Sequence, residues 1–209
     1  MATLYTTAVS ANGRKVLALS EHLALDLEVR TVDVYGGEGQ SAWYKKLNPW
    51  GKVPTLVDGE FILWESNAIL VYLSECFADS ALFAWDPRKR ADILRWLFWE
   101  TSHWQPTLVR VLAPRVSEIL FPAAAPHTTS PAWEDTELVA LLVVLDSVLQ
   151  SSAFVCGPDL TVADFSIAGM TTYFTATKFP EHHYPGIAAW MQRMGTLPAW
   201  VNTAVAPWK

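Results

Sequence analysis

Three short stretches carry side chains whose types and spacing could do chemistry. In SANGRKV, Ser10 to Val16, a run of β-formers breaks into the polar turn Ser10-Ala11-Asn12-Gly13 and a helical pattern begins at once. A strand, a polar turn and a helix N-terminus present a hydroxyl and unpaired amides to an anion. In NPWGKVPTL, Val53 precedes Pro54 at a strand entry, where a cis bond leaves the Val53 N–H and C=O facing outward, open to an extended peptide. In LWESNAIL, Glu65 and Ser66 stand between a strand and a helix: Ser66 caps the helix and offers hydroxyl and amide to a carboxylate, and Glu65 suits an ammonium. A small molecule with a carboxylate, an ammonium, a peptide backbone and a thiol satisfies all three. Taken singly, each residue has a plainer reading: Ser10 a helix cap, Asn12 a turn residue, Lys52 a solvated charge, Tyr5 a strand residue with its ring partly in the core.

No His-Asp relay stands around Ser10, so nucleophilic serine chemistry is not indicated. A ligand thiol held at this turn would need its ionised form stabilised. A free thiol has a pKa of about 8.5, and lowering it by about 2 units takes about 2.7 kcal/mol of preferential thiolate stabilisation. One charge-assisted hydrogen bond, at about 1.5–3 kcal/mol, with a helix N-terminus adding about 0.3–1 kcal/mol, is sufficient.

The elements that must position these residues follow from periodicity. TLYTTAV predicts a strand, and Val16, Leu19 and Leu23 recur behind it at helical spacing. LDLEVRTVDV, with Leu25, Leu27 and Val29 and then Val32 and Val34 in period two, predicts a second strand with a bulge or end. TLVDGEFIL reads as a hairpin turning at Asp58-Gly59, and ESNAILVYLSECF as a helix with Ile69, Tyr72, Leu73 and Phe77 along one face. The order is βαβ, connector, ββα.

Beyond about Arg88 the pattern is helical with proline-rich breaks. One helix is apolar on two sides, with Ile93, Trp96, Leu97 and Trp104 in one stripe and Leu94, Phe98 and Trp99 in another. TELVALLVVLDSVLQ places Leu138, Leu141, Leu145 and Val148 on a face. In PDLTVADF, Thr161 caps a helix, Asp164 reaches back as an acidic capping box, and Leu160 staples to Phe165. The shift predicts an α/β domain over residues 1–78, a linker over 79–87 and an all-helical domain over 88–209.

A net charge of -6 without any Lys/Arg-rich run argues against nucleic acid as a partner. The most apolar run, LVALLVVLDSVL, is interrupted by Asp146, and neither a signal peptide nor a membrane span is expected. Cys76 and Cys156 lie far apart, which speaks against a disulfide framework or zinc site and for a reducing cytoplasm. The run EHH, Glu181 to His183, lacks the ligand spacing of a metal site, so no metal is expected. The 11 Trp, 9 Phe and 6 Tyr exceed what one modest core needs, so apolar surface is expected to go to a partner subunit or a ligand cleft.

Together these motifs resemble the cytosolic glutathione transferase superfamily. NPWGKVPTL resembles its NPxGxVP element, ESNAI is similar to its glutathione motif, LTVADF resembles the cap of its helical domain, and YPGIAAWMQRM its closing segment. The resemblance runs from Leu4 to about Ala199. It implies a thioredoxin-like α/β N-terminal domain, an all-α C-terminal domain, a homodimer, and glutathione as co-substrate with no metal. Ser10 looks like the catalytic serine of the phi and theta type classes. Lys52 is implied as a contact to the glycine carboxylate, Val53 beside cis Pro54 as the backbone partner of the cysteinyl unit, and Glu65 and Ser66 as anchors of the γ-glutamyl end.

Tyr5 lies near the place used by the tyrosine-type classes, and Asn12 is a further donor in the same turn. The zeta-class Ser-Ser-Cys run and the cysteine of the omega and beta relatives are absent, which tells against maleylacetoacetate isomerisation and thiol-disulfide exchange. The implied activity is attack of the glutathione thiolate on small apolar electrophiles, in a pocket expected between the domains with Trp104, Phe98 and Phe121 as aromatic candidates. The alternatives are a non-catalytic interaction module and a glutathione-dependent dehalogenase or peroxidase.

Overall fold

Along β1 (Ala2–Thr6) the side chains alternate, so that Leu4 and Thr6 share one side of the sheet and Tyr5 takes the other. The computed structural model describes residues 2–76, 81–120 and 132–204. The strand is followed by α1 (Ala11–His22), β2 (Leu27–Thr31), a 3-10 turn at Glu38–Gln40, α2 (Ala42–Leu47), the hairpin of β3 (Thr55–Asp58) and β4 (Phe61–Trp64), and α3 (Ser66–Cys76). The expected βαβ-ββα order is present. The sheet order is β2-β1-β3-β4, with β1 and β2 parallel and β3 antiparallel to both its neighbours.

β2 is shorter than the 25–34 run because β1 offers it only five partners, Ala2 to Thr6. The Val32 N–H still reaches the Thr6 carbonyl at 2.8 Å, and Val32 then turns into the interior. Leu4 and Leu56 of the sheet, Val16 and Leu19 of α1, and Ile69, Leu70 and Leu73 of α3 are all buried and form the core of this unit. Tyr72, expected on the buried face of α3, is only half-buried, and Phe77 lies outside the described residues.

Since β1 and β4 both run antiparallel to β3, they point the same way, and Tyr5, Thr55 and Trp64 lie in one row across the sheet. The segment leaving β1, the segment entering β3 and the segment leaving β4 therefore all emerge at the same end of the sheet. These are the Ser10, Val53-Pro54 and Glu65-Ser66 stretches.

The described chain divides into two compact units, one running to Phe83 and resuming at Leu197, the other spanning Ala84–Thr196. The C-terminal helix α9 (Pro198–Asn202) packs with the first unit and not with the expected 88–209 domain, because Arg14 of α1 donates to the Trp200 carbonyl at 2.8 Å with its guanidinium 3.8 Å from the Trp200 ring. Burial alone brings the Arg14 pKa down to about 10.

The second unit is helical: α4 (Pro87–Trp99), a π-helical turn at Glu100–Trp104, α5 (Gln105–Leu120), α6 (Thr136–Ser151), α7 (Val162–Thr171) and α8 (Pro185–Met194). The stripe of Ile93, Trp96, Leu97 and Trp104 is buried, whereas in the second stripe Phe98 is exposed. On α6 the buried face holds Leu138, Leu142, Leu145 and Leu149, so the expected Leu141 and Val148 are displaced to half-buried flanks. Much of the aromatic surplus is internal: Trp99 stacks on Trp104 at 5.5 Å, and Phe174 on Phe179 at 4.4 Å. No helix among the described residues is long and apolar enough to cross a membrane.

Candidate functional site

Ser10 caps α1. Its backbone is extended, its amide donates to the Thr7 carbonyl at 3.0 Å, and its Oγ accepts the Gly13 N–H at 3.0 Å. The turn is therefore Thr7 to Ser10, and Asn12 and Gly13, read from sequence as turn residues, belong to the first turn of the helix. Capping uses an Oγ lone pair and leaves the hydroxyl proton, for which no described residue supplies an acceptor. Cap and hydrogen-bond donor are thus compatible roles for one hydroxyl. The first turn lies hard against β1: a Cβ on Gly13 would sit 1.9 Å from Thr6 Oγ1.

Lys52, Val53 and Pro54 are placed by a buried network that sequence reasoning missed. The Tyr44 hydroxyl donates to the Lys52 carbonyl at 2.7 Å, and Asn48 Nδ2 donates to the same carbonyl at 2.8 Å and to Thr55 Oγ1 at 3.1 Å. Thr55 Oγ1 lies 2.9 Å from the Tyr44 oxygen, whose own proton is committed to Lys52. Burial pushes the Tyr44 phenol above its usual range, which keeps it a donor. Asn48 Oδ1 also takes the Trp50 amide, and Gly51, at φ 68°, comes so near Gly39 that a Cβ would lie 2.5 Å from the Gly39 carbonyl. The Asn-Pro opening of NPWGKVP was the available signal for Asn48.

With its carbonyl held inward, Lys52 projects an exposed side chain, and the Val53–Pro54 bond is cis. Among the described residues nothing bonds the Val53 backbone N–H or C=O.

Glu65 adopts φ 73°, a left-handed conformation that is costly for any residue with a Cβ, by about 1–2 kcal/mol. Its carbonyl accepts the Ile69 amide at 3.0 Å, so α3 starts at this kink, and its side chain is exposed. Ser66 follows, buried, with its hydroxyl donating to Asn12 Oδ1 at 3.3 Å. Asn12 therefore ties the first turns of α1 and α3, with its amide NH2 directed away from that bond. The first amides of α3 have no acceptor within the helix and face the same end.

Tyr5 is placed differently from these. Its ring packs against Trp43 and Tyr44, and its oxygen lies 3.5 Å from Arg30 Nη1, on the sheet face opposite Leu4 and Thr6. Trp104 is fully buried in the second unit with its indole N–H donating to the Ile167 carbonyl at 3.2 Å, which is the position of a core residue. Phe121 lies outside the described residues.

One end of a four-stranded sheet thus gathers the Ser10 hydroxyl, the Val53 backbone with no partner among the described residues, a lysine, a carboxylate and two helix N-termini. This set suits a charged, peptide-like thiol. The family model for the glutathione S-transferase N-terminal domain matches residues 2–75, and that for the C-terminal domain matches residues 131–193. The chain belongs to the glutathione S-transferase family.

Among curated relatives, a glutathione S-transferase of Hyoscyamus muticus is 30% identical over 206 residues, covering 94% of each chain. Glutathione S-transferase D6 of Drosophila melanogaster is 27% identical over 94% of this chain and 89% of its own. Among solved structures, a delta-class glutathione transferase of Nilaparvata lugens superposes with a TM-score of 0.84 at 30% identity, covering 100% of this chain and 95% of that one. An epsilon-class enzyme from the housefly Musca domestica gives 0.85 at 25% identity, covering 100% and 94%.

Proposed function

We propose that this chain activates the thiol of glutathione as a thiolate for attack on small apolar electrophiles, with Ser10 donating its hydroxyl hydrogen to the sulfur. The observation that carries the reading is the Ser10 geometry: Oγ is fixed by the Gly13 amide while its proton is unclaimed by any described residue. The Val53 backbone pairs the cysteinyl unit, as a strand edge pairs an extended peptide. Lys52 meets the glycine carboxylate, and Glu65 and the Ser66 amide hold the ammonium and carboxylate of the γ-glutamyl end. The sulfur then lies at the N-terminus of α1, where the helix dipole adds to the hydrogen bond. Tyr5, engaged with Arg30 on the other side of the sheet, is not the donor in this reading.

The working form is a homodimer in a reducing cytoplasm. The exposed apolar side chains of Phe61, Ile62 and Trp64 along the edge strand β4 support self-association, and the free thiols of Cys76 and Cys156 suit a reducing setting.

The test is the ultraviolet thiolate absorbance of glutathione mixed with the protein, titrated with pH, together with conjugation to an activated aryl halide. Wild type is expected to ionise bound glutathione well below the free-thiol range. Ser10→Ala should raise that midpoint by about 1–2 units, the equivalent of one charge-assisted hydrogen bond. A midpoint unmoved by the substitution would transfer the role to Asn12 or the helix amides. Absence of any bound thiolate would favour the non-catalytic module.

A further inference from the structure

Lys15 has no exposed surface. Lysines are almost never buried so completely without partners, because an ammonium loses much hydration on burial. One of its hydrogen bonds, at 2.9 Å, goes to Asn67 Oδ1, across from α1 to the first turn of α3. Three residues earlier on the same face of α1, Asn12 accepts the hydroxyl of Ser66, the residue before Asn67. Two consecutive residues of α3 are therefore gripped by two residues of α1 spaced one helical turn apart.

The grip spans elements that the sheet does not join directly. α1 leaves β1 and α3 leaves β4, and β3 stands between those strands. The spacing between Ser10 at the start of α1 and Glu65-Ser66 at the start of α3 depends on the intervening strand and on this direct contact.

We propose that Lys15 and Asn67 are positioning residues: with Asn12 and Ser66 they clasp the two helix N-termini and set the distance between the γ-glutamyl anchor and the sulfur donor. The inference rests on the reading given under Proposed function. Binding energy gained at the γ-glutamyl end, remote from the sulfur, accelerates the reaction only if the sulfur arrives within hydrogen-bond reach of Ser10. A loosened clasp lets glutathione bind with its thiol misplaced. The loss then appears in thiolate formation as well as in affinity.

The experiment uses the full chain with glutathione and the aryl halide. Asn67→Ala removes the acceptor at a half-buried site, Asn67→Asp retains it, and Lys15→Met removes the donor; the double variant Lys15→Met/Asn67→Ala closes a cycle. Asn67→Ala is expected to lower kcat/KM for glutathione about tenfold, or about 1.4 kcal/mol, and to raise the ionisation midpoint of the bound thiol. Asn67→Asp should restore both, and the double variant should be no worse than the poorer single one.

Unchanged kinetics and thiol midpoint in Asn67→Ala, or losses that multiply in the double variant, would overturn the clasp. A fall in thermal stability without a shift in thiol midpoint would overturn it as well, by assigning the pair a purely structural role. If Lys15→Met does not fold, the contrast between Asn67→Ala and Asn67→Asp decides the matter alone. A wild-type protein without bound thiolate sinks both the function and the clasp, whereas a normal wild type with an unaffected Asn67→Ala sinks only the clasp.

Discussion

Glu65 holds its backbone at φ 73° although glycine would adopt that conformation without the steric cost of a Cβ. A residue kept in an unfavourable conformation at a site points to a use for its side chain. Glu65→Gly is therefore expected to leave Tm at or above that of wild type while raising KM for glutathione about tenfold, the loss of about 1.5 kcal/mol expected for one charge-assisted contact. Thermal unfolding and steady-state kinetics on the same sample check both halves, and a fall in Tm with unchanged KM would count against the role. Glu65 and Ser66 were legible as a pair because a carboxylate and a hydroxyl stand together at a strand-helix junction. The conformation was not legible, since nothing in the residue types demands a positive φ there. Lys15 is hidden in the sequence for the same kind of reason: nothing in a lysine beside Arg14 in a helix shows that it is buried against Asn67 of α3.

At the scale of elements, helix ends were the most legible features and helix faces the least. Asp164 reaches back to the Thr161 amide at 2.9 Å, as the Thr-x-x-Asp spacing predicts. It also accepts from the Val155 amide at 2.9 Å and the Trp190 indole at 3.0 Å, so the cap doubles as a junction of three segments. Those two donors come from outside the motif and leave no trace in its spacing. On α6 the apolar residues outnumber the buried positions, so periodicity alone chose the wrong flank; the buried face runs through Leu142 and Leu149, and Gly186 of α8 comes close against the backbone at Asp146, Leu149 and Gln150.

The same helix carries a pH-dependent cap. Asp135 accepts the Leu138 amide at 3.0 Å and is held by both terminal nitrogens of Arg110, at 2.8 and 3.0 Å. The Arg110 guanidinium, ahead of the helix amide, brings the carboxyl down to about 2. A carboxyl depressed on folding adds stability above its unfolded pKa and loses it as pH falls, here from about 4, the ordinary value for Asp, toward 2. The pair is exposed and screened by salt, so the contribution is small. Asp135→Ala should cost about 1 kcal/mol near neutral pH and flatten the dependence of Tm on pH in this window, as thermal melts across the acid range would read.

For the whole molecule, the chain closes on itself. After the helical unit, α9 returns to α1 and lays Trp200 beneath Arg14, four residues beyond Ser10, with Asn202 bonded to Glu21 near the far end of α1. The helix that presents the proposed donor is thus held by β1, by α3 and by the C-terminal helix. Among the described residues no strand pairs with the outer edge of β4, and Phe61, Ile62 and Trp64 are exposed. Light scattering at micromolar concentration should give twice the 23.3 kDa chain mass, and Ile62→Glu should shift it toward one chain. A single-chain mass for wild type would remove the dimer from the proposal.

The sequence by itself determined the βαβ-ββα order, the caps at Ser10 and Thr161, and the cis-proline turn, and it singled out the three stretches as candidates, because each depends on residues within a few positions of one another; the cap expected at Ser66 falls instead at Glu65, whose carbonyl takes the Ile69 amide. The tertiary structure alone decided that these stretches share one end of the sheet, that Tyr44 and Asn48 fix the Lys52 carbonyl, that Asn12 and Lys15 grip Ser66 and Asn67, and that the last helix joins the first unit. Each of those depends on pairing and burial between segments tens of residues apart, where strand register and packing, and not local spacing, choose the neighbours.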